Sequence, residues 1–461
     1  MKTVAKPLRT RPELGGLDGL DRFLRFKGST LLIKGYAGAG KTTLATLLLE
    51  RFGGGVYVSS RVSEDKVHAQ LPLMKQMMPG PEFVDVRLDL PLSTVAKVIE
   101  VTSQRKDDVP LLILDTWDGM AKELEDKERL KAEKTLIALA DGSNTRVVFV
   151  SEEPGKSTMD YLVDGMVELV RSEEKGRVFR EIEIQKLRGT PIVQHKYLYT
   201  LLGGRFAYIP PYEEPDYSKA KKPAARRDFD KSTYSFGSEA FDSIFRGLKR
   251  GTAFTLEYSE DVPYSAIRLL HIPLIINFLN MGRSCLMIPL LGASVEEILS
   301  VIRPHVTGEA ITKRLRMATV EPSDGSALKP PLFGMGRGKV DNEHANFSKV
   351  AEELAARSVD GNVVIVDSMS FLENLFASDR EGLIEAMADR IIATQRHGNA
   401  LLLILQSDSP IKSRMLSMSQ NYLRLFMKDR AVVLVGEKPA TEAYVLDHAD
   451  NPLMPRLTRI V

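Results

Sequence analysis

A glycine-rich stretch in the first tenth of the chain carries the residue types that bind phosphate. It reads GYAGAGKTT over residues 35–43 and fits the pattern GxxxxGK(S/T). Glycines let backbone N–H groups approach phosphate oxygens, and the N-terminus of a following helix adds partial positive charge. Lys41 would neutralise the β- and γ-phosphates, and the Thr42 hydroxyl would bind Mg²⁺. The predicted nucleotide-binding set is Gly35, Gly38, Gly40, Lys41, Thr42 and Thr43.

A carboxylate of the kind that accompanies a phosphate-binding loop occurs further along the chain. The stretch LLILDTWD over residues 111–118 reads as an apolar strand that ends in Asp115. A carboxylate at the carboxyl end of a buried strand beside a phosphate loop commonly assists Mg²⁺ through a bound water molecule. We therefore expect ATP and Mg²⁺ as ligands, with Thr42 and Asp115 on the metal side and with Lys41 and Asp115 as catalytic residues.

The composition is that of a globular protein with several domains. The chain has 461 residues, of which 43% are hydrophobic and 27% charged, and its formal net charge is +2. At about 150 residues per domain this length predicts two or three domains. The single cysteine, Cys285, excludes an internal disulfide and a multi-thiolate zinc site. No secretory signal or bilayer-length apolar run is evident, so we expect a cytoplasmic protein without membrane segments.

Strand and helix signals alternate around these motifs. This alternation predicts an α/β fold with a mostly parallel central sheet. A proline cluster from Ile209 onwards predicts a linker over 209–232, and between Ser218 and Lys231 it carries six basic and two acidic residues. The predicted strands include 56–58, 83–88 and 146–150, and the predicted helices include 92–101 and a segment within 119–140.

The second half of the chain repeats the pattern of the first half without its phosphate loop. Aligning Gly28 with Gly251 gives an offset of 251 − 28 = 223. At this offset the loop positions Gly35, Gly40, Lys41 and Thr42 become Tyr258, Pro263, Tyr264 and Ser265. The sequence NVVIVDSMS aligns Asp367 with Asp115. These replacements predict a duplicated fold whose second copy has lost its nucleotide site.

The first half resembles the RecA-superfamily ATPases of the KaiC and RadA type. The resemblance rests on the stretches GSTLLIKGYAGAGKTTLA, GVYVSSRVSED, LLILDTWD, YLVDGMVELV and REIEIQKLRGTPI. The pairing of GVYVSSRVS with LDTWDGM is most similar to the archaeal proteins grouped with the gas vesicle regulator GvpD. The resemblance implies two tandem RecA-like P-loop domains: an ATP-binding domain over 1–208 and a degenerate domain over 233–461.

The resemblance also implies a site completed between subunits. In KaiC-type rings a KxR segment reaches the γ-phosphate of the neighbouring subunit, and the matching residues are Lys186 and Arg188. An ordinary charged turn is the alternative for this segment. The family usually has acidic residues after the second strand to polarise the attacking water, whereas this chain has Ser60-Arg61-Val62. Three carboxylates could substitute for them: Glu64, Asp118 and Glu152.

Two functions are consistent with these features. The first is an ATP-binding regulatory or assembly ATPase with slow hydrolysis, which acts as a homo-oligomer or with a regulatory protein partner. The second is a DNA-binding recombination or repair ATPase that resembles RadA paralogues. Its local support is the basic linker and the loop Gly334 to Lys339, which contains Arg337. An autokinase is disfavoured because the second half lacks a phosphate loop.

Overall fold

The computed structural model describes residues 18–461 apart from 72–73, 75–76, 78–80, 105–109, 154 and 321–327. The chain divides into two compact units. Unit 1 extends to Pro211 and includes Arg459–Val461, and unit 2 spans Tyr212–Thr458. The domain limits predicted above, with a linker over 209–232, stay predictions about how the two halves are joined.

Unit 1 is built on a nine-stranded sheet of order β3-β2-β4-β5-β1-β6-β7-β8-β9. The strands from β3 to β6 are parallel, and β6 to β9 pair antiparallel. The strands are β1 Thr30–Gly35, β2 Val56–Ser59, β3 Glu82–Asp85, β4 Leu111–Asp115, β5 Arg146–Ser151, β6 Gly165–Glu174, β7 Arg177–Leu187, β8 Lys196–Thr200 and β9 Ala207–Tyr208. The helices are α1 Asp18–Leu24, α2 Lys41–Phe52, α3 Glu64–Gln70, α4 Pro91–Gln104, α5 Trp117–Ala121, α6 Asp126–Ser143 and α7 Met159–Leu162.

Helices cover both faces of this sheet. Leucines of α1 and α2 pack against one face, and α4, α5 and α6 pack against the other. The β4 residues alternate accordingly, since Leu111 and Ile113 face α2 while Leu112 and Leu114 face the opposite layer. Asp115 continues the first of these rows and therefore lies on the α2 side.

Unit 2 contains a ten-stranded sheet of order β15-β14-β13-β16-β17-β12-β18-β19-β20-β21 and a two-stranded sheet of β10 and β11. The strands are β10 Thr233–Tyr234, β11 Leu248–Lys249, β12 Thr252–Tyr258, β13 Ser284–Ile288, β14 Leu315–Val320, β15 Leu332–Met335, β16 Val363–Ser368, β17 Ala400–Gln406, β18 Asn421–Lys428, β19 Ala431–Lys438, β20 Ala440–His448 and β21 Pro455–Arg459. The helices are α8 Glu239–Phe245, α9 Tyr264–Asn280, α10 Val295–Ile302, α11 Gly308–Arg314, α12 Val340–Arg357, α13 Met369–Leu375, α14 Arg380–His397 and α15 Lys412–Met418.

The two large sheets share one topology. From β14 to β20 the order in unit 2 repeats, strand for strand, the order from β3 to β8 in unit 1. Helix α2 begins at Lys41 and α9 begins at Tyr264, which is the offset of 223 given by the sequence. The prediction of an α/β fold with two large, mostly parallel sheets is confirmed.

A charge exchange marks one position that the two units share. Lys34 near the end of β1 donates to Asp160 at 3.0 Å, and both side chains are largely buried. The residue at the same offset on β12 is Glu257, and Lys412 donates to it at 2.9 Å. The strand residue is thus a cation in unit 1 and an anion in unit 2, and in both units it forms an ion pair, as expected because a buried charge needs a partner.

The predicted equivalence of Asp367 with Asp115 is wrong by one residue. In unit 1, Asp115 pairs with Val150 on the adjacent strand, and Val150 pairs with Ile33 on the next. In unit 2 the corresponding paired residues are Ser368, Ile404 and Leu256. Ser368 therefore takes the place of Asp115. Because successive residues of a strand face opposite sides, Asp367 points into the other helical layer, where Arg390 donates to it at 2.6 Å.

Candidate nucleotide-binding site

The loop between β1 and α2 has the backbone shape that its glycines predict. Gly35 has φ 147° and Gly40 has φ 94°, within the region that favours glycine. A Cβ atom at Gly35 would lie 2.5 Å from the carbonyl oxygen of Leu169, and one at Gly40 would lie 2.9 Å from the Leu201 side chain. A larger residue would therefore clash with the backbone at Gly35, and the positive φ disfavours one at Gly40.

Side chains from the antiparallel strands support the loop from outside. Arg180 on β7 donates to the carbonyl oxygen of Gly38 at 3.0 Å, and Tyr199 on β8 donates to that of Ala39 at 2.5 Å. Sequence reasoning missed both residues, because a charged or aromatic residue on a distant strand gives no signal of which backbone atom it contacts. These contacts fix the carbonyl groups of Gly38 and Ala39 and so help to hold the shape of the loop.

Lys41 lies inside the loop and is 5% exposed. Its Nζ donates to the carbonyl oxygens of Gly35 at 2.7 Å and Tyr36 at 2.9 Å and lies 3.5 Å from Oε1 of Glu152. Burial lowers the pKa of the Lys41 ammonium, and the Glu152 carboxylate opposes that shift. A buried cation held by neutral carbonyls and one carboxylate is well placed to exchange the carboxylate for phosphate.

Thr42 and Asp115 meet, as the metal-site prediction requires. The Thr42 hydroxyl donates to Oδ2 of Asp115 at 2.7 Å, and the Tyr57 hydroxyl donates to the same oxygen. Burial raises the pKa of Asp115, while both hydroxyls and Lys41 lower it. A carboxylate and a hydroxyl oxygen are ligands that suit Mg²⁺. Sequence reasoning missed Tyr57, a tyrosine in the otherwise apolar start of β2 whose contact with Asp115 depends on β2 lying beside β4.

A cavity of about 550 Å³ opens above these residues. It borders the phosphate loop, the end of β4, the end of β5 and one side of α3. The lining residues are Gly38, Gly40, Lys41, Thr42, Thr43, Arg61, Val62, Lys66, Val67, Gln70, Leu71, Asp115, Thr116, Glu152 and Leu201. Its volume is in the range of small-molecule sites. The cavity combines the Lys41 cation with apolar side chains in and beside α3, namely Val62, Val67 and Leu71, a combination that was not predicted.

Glu152 is the member of the three suggested carboxylates that lines the cavity. It follows β5 and forms ion pairs with Lys41 and with Arg61, the residue in the place of the expected acid. Asp118 lies behind it and accepts a hydrogen bond from the Glu152 backbone N–H. Glu64 begins α3 and does not line the cavity. The order β2-β4-β5 brings Arg61 and Glu152 to either side of Asp115.

The KxR residues lie at the end of β7. The Lys186 ammonium donates to the backbone oxygens of Asp160 and Val163 at 3.2 and 2.5 Å. Arg188 is mostly exposed and donates to Asp164 at 2.7 Å. Neither side chain lines the cavity of its own chain. Their predicted role in a neighbouring subunit stays a prediction.

In unit 2 the corresponding positions are occupied by protein contacts. Ser265 replaces Thr42, and the Tyr212 hydroxyl donates to it at 3.1 Å. Tyr264 replaces Lys41, and the Arg268 guanidinium lies 4.7 Å from the centre of its ring. Pro263 precedes them and has no N–H to offer. The structure of these residues agrees with a degenerate second copy.

Residues 20–185 match the family described as GvpD gas vesicle protein, P-loop domain. This segment is similar to the P-loop domain of GvpD. The match spans the phosphate loop, Asp115 and most of β7, and so includes every residue that lines the cavity except Leu201. It also agrees with the GvpD-like P-loop resemblance inferred from the sequence.

Curated relatives extend the GvpD-like match over almost the whole chain. Protein GvpD2 of Halobacterium salinarum is 26% identical over 498 aligned positions, which cover 98% of each chain. Protein GvpD1 of the same organism is 25% identical over 95% of this chain and 94% of the relative. Among solved structures, the KaiC-like protein PH0186 from Pyrococcus horikoshii OT3 is 20% identical with a TM-score of 0.36, over 40% of this chain and 90% of that one. Within the described ranges, helices with the length and apolar character of a membrane span are absent.

Proposed function

We propose that this GvpD-like protein is an ATP-binding regulatory protein in which occupancy of unit 1 is the signal. The observation that carries the proposal is the arrangement of Lys41, Thr42 and Asp115 beneath a cavity of about 550 Å³. A triphosphate on Lys41 would replace contacts that are now made by backbone carbonyls and by Glu152. Unit 2 lacks the matching loop residues, so the two halves of the chain have different tasks.

Mg²⁺ would be held on the Thr42 hydroxyl and on Asp115 through water, where it neutralises charge on the phosphates. The contact between Thr42 and Asp115 supports this assignment, because the two oxygens lie within hydrogen-bond distance of each other. The raised pKa of Asp115 reflects a buried carboxylate whose negative charge is poorly solvated. A cation at this position would stabilise that charge.

Hydrolysis would be slow because the site differs from an efficient ATPase where water must be activated. Arg61 occupies the place of the expected acid and is paired with Glu152. Glu152 is our candidate for orienting water, since it lines the cavity and its carboxylate forms an ion pair with Lys41. As long as it is held by Lys41 and Arg61, its lone pairs are engaged.

Lys186 and Arg188 would act between subunits of a homo-oligomer. Neither side chain lines the cavity of its own chain, and Arg188 is largely exposed. A cation supplied in this way can accelerate phosphoryl transfer by about 10³- to 10⁵-fold. Native mass measured with and without Mg·ATP tests this part, with Arg188→Ala as the variant and Arg87→Ala as a surface control. An unchanged mass under both conditions would contradict assembly driven by nucleotide.

Calorimetric titration with Mg·ATP tests nucleotide binding directly. We expect binding by the wild type and by Lys97→Ala, a surface cation paired with Asp89. Binding should be lost in Lys41→Ala, because the buried ammonium is removed. In Asp115→Asn the dependence of affinity on Mg²⁺ should largely disappear. Absence of Mg·ATP binding by the wild type would contradict the proposal.

The DNA-binding alternative gains no support from the basic run. Arg226 pairs with Glu239 and Asp242, and Lys219 pairs with Asp216. These pairs neutralise part of the local positive charge. Gly334, in the second segment considered for DNA, lies within β15. We therefore do not propose this function.

A further inference from the structure

A second cavity, of about 140 Å³, lies in unit 2 between α12 and α14 and over β16. Its walls include Phe347, Ala351 and Ala355 from α12 and Arg390, Ala393 and Thr394 from α14. Three of these six residues are alanines, so the helices leave space where leucine or isoleucine would fill it. This cavity has no part in the nucleotide site, which belongs to unit 1.

Arg390 is the unusual residue of this cavity. It is 5% exposed, and its guanidinium carbon lies 3.5 Å from the centre of the Phe347 ring. Nη1 donates to Asp367 at 2.6 Å, whereas Nε is buried without a hydrogen-bond partner among the described residues. A guanidinium has five N–H donors, and one acceptor oxygen does not satisfy them. A buried cation with unused donors therefore borders an open space.

The carboxylate of Asp367 is also incompletely hydrogen-bonded. It is fully buried, and its Oδ1 has no hydrogen-bond partner within the described part of the chain. Burial raises the pKa of this carboxyl, and Arg390 opposes the shift. His344 also lines the cavity, and burial together with the nearby Arg390 lowers its pKa, so its imidazole is neutral near pH 7. Glu352 is the acidic residue of the lining and is exposed.

We propose that this cavity binds a small monocarboxylate with an apolar body of about six carbon atoms. A cavity of about 150 Å³ lined by apolar residues accepts benzene, which sets the size of the body. The carboxylate would accept from the Arg390 guanidinium, whose planar fork matches carboxylate geometry. The body would lie against Phe347 and the alanines. A phosphate group carries more negative charge and would face Asp367 and Glu352 with greater repulsion.

The proposal is tested by titrating the full chain with benzoate and with benzamide, a neutral probe of the same shape. Binding is measured by calorimetry and by saturation-transfer NMR. We expect benzoate to bind with a dissociation constant on the order of 1 mM. Benzamide should bind at least about fivefold more weakly, because it lacks the charge-assisted contact with Arg390. Equal binding of both probes, or no binding of benzoate up to about 20 mM, would overturn the proposal.

Two leucine substitutions on α12 locate the site. Ala351→Leu fills the cavity and should abolish benzoate binding, whereas Ala356→Leu changes an exposed alanine of the same helix and should leave it intact. Benzoate binding retained by Ala351→Leu would contradict the location. If Ala351→Leu fails to fold, Arg390→Lys decides instead, since it keeps the charge and removes the fork. Loss of the preference for benzoate over benzamide is then expected, and an unchanged preference overturns the role of Arg390.

Discussion

Replacing Glu152 with glutamine should tighten Mg·ATP binding and slow its turnover. The Glu152 carboxylate lies 3.5 Å from the Lys41 ammonium and also pairs with Arg61. A bound γ-phosphate would compete with this carboxylate for both cations and would be repelled by it. Glutamine keeps the size and removes the charge, so ATP no longer has to displace an anion.

The expected gain in affinity follows from the exposure of the pair. Two unit charges about 4 Å apart interact by about 4 kcal/mol at an effective dielectric constant of about 20. Solvent-exposed pairs contribute only about 0.2–1 kcal/mol. The Lys41 side chain is 5% exposed and that of Glu152 is 31% exposed, which places this pair between the two cases. We expect a gain of about 1–2 kcal/mol, or about 5- to 30-fold in the dissociation constant for ATP.

Calorimetry with Mg·ATP and Mg·ADP, followed by a phosphate-release assay, checks this prediction. ADP affinity should change less, since ADP lacks the phosphate nearest to Glu152. If Glu152 orients the attacking water, turnover should fall by at least about 100-fold. Glu153→Gln is the matched control, because Glu153 is the next residue, pairs with Arg129 and does not line the cavity. The reasoning is refuted if Glu152→Gln binds ATP no more tightly than the wild type, or if Glu153→Gln has the same effect.

Three further predictions concern stability and reactivity. Lys34→Met should destabilise unit 1 by about 3–5 kcal/mol in urea unfolding, because Asp160 loses its buried partner. The double variant Lys34→Glu/Asp160→Lys should recover most of this loss, as the reversed ion pair in unit 2 implies. Equal loss of stability in the single and the double variant would contradict this prediction. Full burial lowers the pKa of His271 to about 4, below its unfolded value, so stability is complete above about pH 6.5 and falls as the pH drops toward 4, by about 3 kcal/mol. Urea titrations at pH 7.5 and 4.5 should show this fall in the wild type and not in His271→Leu. Cys285 is fully buried with a raised thiol pKa, so a thiol reagent such as DTNB should modify it only in denaturant; full modification in native buffer would show that unit 2 opens readily.

The sequence predicted the parts of the fold that depend on local pattern. The loop and the start of α2 at Lys41 follow from the glycines and from the apolar residues after them. The strand expected over 83–88 is shorter, since β3 ends at Asp85 and Leu88 is 99% exposed. One helix was expected within 119–140, and two are present, separated by residues 122–125. The hydrophobic pattern predicts that a helix or strand is present more reliably than it predicts the residues at which that element begins and ends.

The predicted site was incomplete for a different reason. Lys41, Thr42 and Asp115 could be named because their motifs fix their relation to one loop and one strand. Tyr57 and Glu152 come from β2 and β5, and their approach to Asp115 depends on β4 lying between these strands. Sequence spacing carries no information on that order. Glu152 was therefore one of three carboxylates, and geometry was needed to separate it from Glu64 and Asp118.

The two units differ by more than the loss of a loop. In unit 1 the carboxylate at the end of β4 faces α2 and the phosphate loop. In unit 2 the carboxylate is one residue earlier, so it faces α14, and Ser368 takes the position toward α9. Restoring a lysine by Tyr264→Lys would therefore supply one cation to a site without a metal-side carboxylate.

The same shift explains why unit 2 contains a buried guanidinium. Asp367 on the α14 side is fully buried and needs a cation, which Arg390 provides. Arg390 cannot satisfy all its donors with this one partner, and the alanines beside it leave space for another acceptor. A single change of register at the end of β16 thus accounts for two features of unit 2, the missing metal-side carboxylate and the buried Asp367–Arg390 pair beside the cavity on the opposite face of its sheet.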